Sequence, residues 1–142
     1  MAAPRSFVPQ RPGRSSTRRF TLKEANSTLP LVKRIVADIV KTHAKAMHHR
    51  QRVEALNPGR EHSVAQDQLH RALEHLQEFL DELNSIGIEL KDPQIGLVDF
   101  VARQDGRDVY LCWKLGEETI AYWHELDAGV AGRKPIATFK DK

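Results

Sequence analysis

The chain has 142 residues, 40% hydrophobic and 29% charged, which suits one globular domain that buries a core without disulfides or a structural metal. A single cysteine excludes an internal disulfide framework and fits a reducing, cytoplasmic setting, and no apolar run approaches the length of a membrane span. The formal net charge of +3 suggests nucleic acid until it is located: Arg5, Arg11, Arg14, Arg18 and Arg19 all precede Phe20, with no acid among them. Removing those five from the 22 basic residues leaves 17 against 19 acidic ones, so the remainder is slightly acidic.

Residues 1–19 contain Pro4, Pro9 and Pro12, which oppose a helix, and they lack the continuous apolar stretch of a secretory signal. We read them as a disordered basic arm and as the one place where nucleic acid would bind. Residues 20–142 form a single domain.

At Phe20-Thr21-Leu22-Lys23-Glu24 the residue types predict a helix start. Thr21 caps, Glu24 returns a bond to the Thr21 amide, and Phe20 packs against Ala25. Pro30 is expected to interrupt, giving a short helix from Leu22 to about Ser27, with Thr28 capping a new one. That second helix carries an apolar stripe at Leu29, Val32, Val36 and Ile39, which continues less well through His43, Ala46, Arg50 and Val53. Asn57-Pro58-Gly59 stops it. A further helix from about Ser63 presents Leu69, Ala72, Leu76, Phe79, Leu83 and Ile86 before Gly87 ends it. The short connection makes residues 28–87 an antiparallel helical hairpin.

From Gly96 the apolar period becomes two. Asp105-Gly106 reads as a two-residue hairpin turn, and Gly116-Glu117 as another with glycine first. Together they predict a three-stranded antiparallel meander over about 96–126, with Asp99 opposite Cys112, Trp113 opposite Ile120 and Leu111 opposite Tyr122. In this register Val98, Phe100, Leu111, Trp113 and Tyr122 face the helices, with His124 at that rim. Asp99, Tyr110, Cys112, Trp123 and Glu125 lie on the other face. The expected fold class is therefore α+β, a long antiparallel helical hairpin packed on a three-stranded β-meander, with a C-terminal strap over 127–142. Helices of about 25 residues reach nearly 40 Å and seven-residue strands about 23 Å, so the polar hairpin tip should overhang the sheet.

The phrases "LKDPQIGLVDF", "YLCWKLGEETIAYWHE" and "GVAGRKPI", with the opening "FTLKEANSTLPLVKRI", resemble the uncharacterised bacterial family filed as domain of unknown function 2203. The resemblance spans about Phe20 to Ile136 and implies no established activity. By motif match it points to Asp92, Pro93, Gly96, Asp99, Cys112, Trp113, Gly116, Trp123, His124, Glu125, Gly129, Gly132 and Arg133. Val130 stands where other members carry an aromatic residue.

Three stretches offer site chemistry. Among the seven histidines only His43 and His75 are placed to meet, and the paired Glu-x-x-His pattern of di-metal bundles is absent, so no metal and no cofactor is expected. Asp99 faces Cys112 but would raise its thiol pKa, and His124 falls on the opposite face, which argues against a Cys–His dyad. The segment "HELDAGVAGRKP" brings His124, Glu125 and Arg133 together with Gly129 and Gly132, a set suited to a small anionic ligand. The structural alternative pairs Arg133 with Glu125 or Asp99. With no convergent catalytic set, the sequence favours a non-enzymatic module that dimerises or binds a protein partner, using the half-apolar face of Asp99, Tyr110, Cys112 and Trp123. The alternative is a ligand-binding protein, conceivably an enzyme, at His124, Glu125 and Arg133.

Overall fold

The structure is a computed structural model that describes residues 18–141. The arm expected over 1–19 therefore lies outside the described residues except for Arg18 and Arg19. Arg18 stacks on the Phe20 ring at 4.2 Å, and Arg19 pairs with Asp108 at 2.8 Å.

Helix α1 runs from Leu22 to Ala55. Its capping box forms as the sequence predicts: the Thr21 hydroxyl accepts from the Glu24 amide at 3.0 Å, and the Glu24 carboxylate accepts from the Thr21 amide at 2.9 Å. Phe20 is buried and meets the Phe100 ring edge-on. The expected break at Pro30 does not occur. Pro30 sits on the exposed side of the helix, where it removes only the bond to the Asn26 carbonyl. Leu29 and Val32 on either side are buried, and their burial, about 1.5–3 kcal/mol each, offsets that loss. Helix α2 spans Arg60–Ile86, starting a turn earlier than Ser63, and ends on Gly87, whose φ of 91° permits its amide to reach Asn84 and Leu83 carbonyls. No helix among the described residues is long and apolar enough to cross a membrane.

The sheet has five antiparallel strands in sequential order, not three: β1 (Ile88–Asp92), β2 (Leu97–Gln104), β3 (Arg107–Lys114), β4 (Tyr122–Glu125) and β5 (Lys134–Pro135). Strand β1 follows the Gly87 cap without a loop, and its five residues are too few to announce a period of their own. The strap contributes β5.

The first hairpin has the register read from the sequence, with Asp99 opposite Cys112 and Val98 opposite Trp113. Asp105 and Gly106 both take positive φ in its turn. The second hairpin is shifted by one residue: Leu111 faces Trp123, Cys112 faces Tyr122 and Tyr110 faces His124. Gly116-Glu117 does not make a two-residue turn. The Glu117 carboxylate takes the Lys114 amide at 2.8 Å and its carbonyl takes the Trp113 indole N–H at 2.9 Å. Asn26 on α1 accepts the Ile120 amide at 3.1 Å, and Ile120 inserts into the core. The connection thus occupies 115–121, and the slip exchanges the faces of every residue in β4.

Trp123 therefore joins the helix-facing core, Tyr122 turns outward, and His124 moves to the second face. The core consists of the inner half of the hairpin (Leu29 to Ile39 and Leu76 to Leu83) and the inner sheet face around Phe100, Leu111 and Trp113. Beyond Ile39 and before Leu76, only Ala46, Ala65 and Ala72 are buried, so the hairpin tip overhangs the sheet on a thin alanine seam.

Candidate functional site on the second sheet face

On the face away from the helices, the register places Glu89, Asp99, Cys112 and Tyr122 in one row across β1 to β4. Val101, Tyr110 and His124 form the next row. Glu89, Asp99 and His124 are each 2% exposed and Cys112 is 0% exposed. The carboxylate, thiol and imidazole atoms of Asp99, Cys112 and His124 all lie within 4.8 Å of one another.

The hydrogen bonds constrain the imidazole. His124 Nδ1 lies 2.7 Å from the Glu125 carbonyl oxygen and Nε2 lies 3.1 Å from Asp99 Oδ1. A carbonyl only accepts, so Nδ1 carries a proton. The other nitrogen then meets Asp99 Oδ1 across a shared proton. Burial by itself would lower the His124 pKa, but the hydrogen bond and charge of Asp99 and the Glu125 carbonyl outweigh it and raise it. The Cys112 thiol is pushed up to about 12, first by burial and then by the Asp99 charge, with Arg133 pulling the other way. The expected effect of Asp99 on the thiol is present.

Two cations flank the cluster. Lys91 holds Glu89 Oε1 at 2.8 Å and lies over the Tyr110 ring at 4.7 Å. The Tyr110 ring packs beside that of His124, with centroids 5.3 Å apart. Opposite, Arg133 covers the Tyr122 ring at 4.1 Å, binds both Glu117 carboxylate oxygens at 2.9 and 3.0 Å, and approaches the Cys112 carbonyl at 3.5 Å. Two buried atoms have no hydrogen-bond partner among the described residues at this site, Glu89 Oε2 and Arg133 Nε.

Several expectations need correction. His124 shares the face of Cys112, because the register slip moved it there. Trp123 does not belong to this face; it is core, with its indole N–H donated to Thr138 Oγ1 at 2.8 Å. Glu125 alternates away from His124 and binds Arg107 at 2.6 and 2.9 Å, so His124, Glu125 and Arg133 do not converge. Arg133 pairs with Glu117, not with Glu125 or Asp99. Gly129, at φ 64°, opens the short turn Val130–Gly132, and a Cβ on Gly132 would lie 2.6 Å from that of Ala128. These glycines return the chain so that Arg133 reaches Cys112. At the tip, His43 lines a groove with Met47, His48 and Gln94, whereas His75 lines a separate one with Lys45, His49 and Arg71. Sequence reasoning missed Glu89 and Lys91, because the five residues of β1 are too few to show a period of their own.

Fold and site together define an α+β protein with a helical hairpin over one face of an antiparallel sheet and a buried acid–thiol–imidazole cluster on the other. The family described as "Uncharacterized conserved protein (DUF2203)" matches residues 18–136, and the chain belongs to it. No curated protein and no solved structure matches the chain.

Proposed function

We propose that the protein binds a small ligand at the Asp99–Cys112–His124 cluster, with Glu89, Lys91 and Arg133 around it. One observation carries this reading: four ionisable side chains are buried side by side on a face that apolar residues would stabilise better. Desolvating a charged group costs several kcal/mol even after relaxation, and such sets cluster at binding and catalytic sites. The quoted family phrases support it, because Asp99, the Cys112 and His124 pair, and Arg133 come from three of those stretches and meet here.

Native mass spectrometry of the untagged protein tests this. A retained mass that disappears in Asp99→Asn and His124→Gln supports ligand binding; a bare chain that acquires no mass from cell extract argues against it.

A second reading, a dimerising or partner-binding module, is favoured by the hairpin overhang. In the outer half of the hairpin the fully buried residues among those described are only Ala46, Ala65 and Ala72, and a second copy would supply further packing there. A bare dimer in the same experiment, lost on charge substitution at Val64 or Met47, supports that reading. Nucleic acid would engage only the arm, where Arg19 is already paired with Asp108; binding that survives deletion of 1–19 discards that role for the arm. A cytoplasmic setting belongs to the same proposal.

A further inference from the structure

Resting on the ligand-binding reading, we propose that the ligand is a divalent transition metal of the zinc type, held by Asp99, Cys112 and His124 with Glu89 as the fourth ligand. The donor set is one sulfur, one nitrogen and carboxylate oxygens, a mixture that favours zinc, cobalt or ferrous iron over magnesium or calcium. The three donor atoms lie within 4.8 Å of one another. A tetrahedral site with bonds of about 2.0–2.3 Å has donors roughly 3.4–3.8 Å apart. His124 Nε2 and Asp99 Oδ1 already stand 3.1 Å apart, so binding opens that pair slightly and draws the Cys112 thiol inward by up to about 1 Å. Glu89 lies outside the 4.8 Å set and has to swing in.

Two further observations bear on the site. His124 is oriented as a metal-ligating histidine is, with Nδ1–H tied to a backbone carbonyl and Nε2 turned to the other donors. Glu89, 2% exposed and directly opposite Asp99 in the sheet, has Oε2 buried without a partner while Lys91 holds Oε1. A cation within reach satisfies that oxygen and takes the place of the proton that otherwise bridges His124 Nε2 and Asp99. Binding forms bonds from the metal to sulfur, nitrogen and oxygen. It releases the thiol proton to solvent, together with the second imidazole proton where the empty site holds one. Lys91 and Arg133 limit the negative charge left on the site.

The test strips the full chain with a chelator and titrates it with Co2+, then Zn2+. The expected result is one Co2+ per chain with a near-ultraviolet thiolate-to-metal band that Zn2+ abolishes. The band should be missing in Cys112→Ser, and affinity should fall at least 10-fold in His124→Gln and Glu89→Gln, with circular dichroism showing each variant folded. Folded wild-type protein that takes up neither metal overturns the proposal, as does equal uptake by Cys112→Ser, which would assign the metal to the tip histidines. A retained organic mass that depends on Asp99, without metal uptake, overturns the metal and leaves the ligand-binding reading intact. Neither mass nor metal overturns both.

Discussion

The Cys112 thiol sits opposite Asp99 on one side and Tyr122 on the other, fully buried, with its pKa pushed up to about 12. Relative to an ordinary cysteine near 8.5, its thiolate fraction at neutral pH falls by roughly three orders of magnitude. The metal-free native protein should therefore resist iodoacetamide and become alkylated at Cys112 only on unfolding, as mass spectrometry would read; rapid native labelling would contradict the burial. Gly96 makes a different residue-scale case. It holds φ +71°, and a Cβ there would lie 2.8 Å from Val36 Cγ1 and 2.9 Å from Leu115 Cβ. Gly96→Ala should destabilise by about 2–3 kcal/mol in urea unfolding, whereas Gly116→Ala, with open space at its Cβ position, meets only the φ penalty and should cost less.

At the scale of elements, α1 tolerates Pro30 because tertiary packing on both sides holds the turn. The penalty for proline persists within that packing. Pro30→Ala restores an N–H to the ladder and should stabilise the protein by about 1–2 kcal/mol, part of the helix-interior cost of proline near 3 kcal/mol. Thr21→Ala removes the hydroxyl that accepts the Glu24 amide, leaving the bond from the Thr21 amide to Glu24, and should cost about 1 kcal/mol. Thermal melts of the two variants should therefore move in opposite directions. The same scale explains which hairpin was legible. Asp105-Gly106 carries its turn type in its own two residues, so the β2–β3 register followed from sequence. The β3–β4 connection is set by Asn26 on α1, which binds the Ile120 amide, and by the Trp113 indole, which binds the Glu117 carbonyl. The Asn26 contact is remote from the Gly-Glu pair in sequence, so the local pattern suggested a tighter connection than the chain makes.

At the scale of the whole molecule, ion pairs fasten the segments around the sheet. Asp108 is held below the usual carboxylate range by its hydrogen bond to Arg19, Glu125 by that to Arg107, and Glu24 by the backbone and hydroxyl of Thr21. For each, the folded pKa lies below the unfolded one. The stabilisation is complete above the unfolded value near pH 4 and is lost as pH falls through the folded value. The carboxylate contribution to the melting temperature should thus be constant from pH 7 to about 5 and fall below it. Near pH 6.5 the raised pKa of His124 adds stability on acidification, and the lowered pKa of His43 opposes it. Asp108→Asn combined with Glu125→Gln should lower the plateau slightly and flatten that acid limb, since exposed pairs contribute little each.

The sequence by itself determined the helical hairpin, its Thr21 cap and Gly87 stop, the α+β class and the β2–β3 register. Each is encoded in spacing or turn chemistry within a few residues. It also named Asp99, Cys112, His124 and Arg133 singly. Only the tertiary structure decided that they meet, because side chains alternate along a strand and one residue of slip moves a whole strand from one face to the other. That slip depends on contacts from α1, some ninety residues away, as does the placement of Trp123 in the core. The position of Glu89 against Asp99 likewise exists only once β1 pairs with β2.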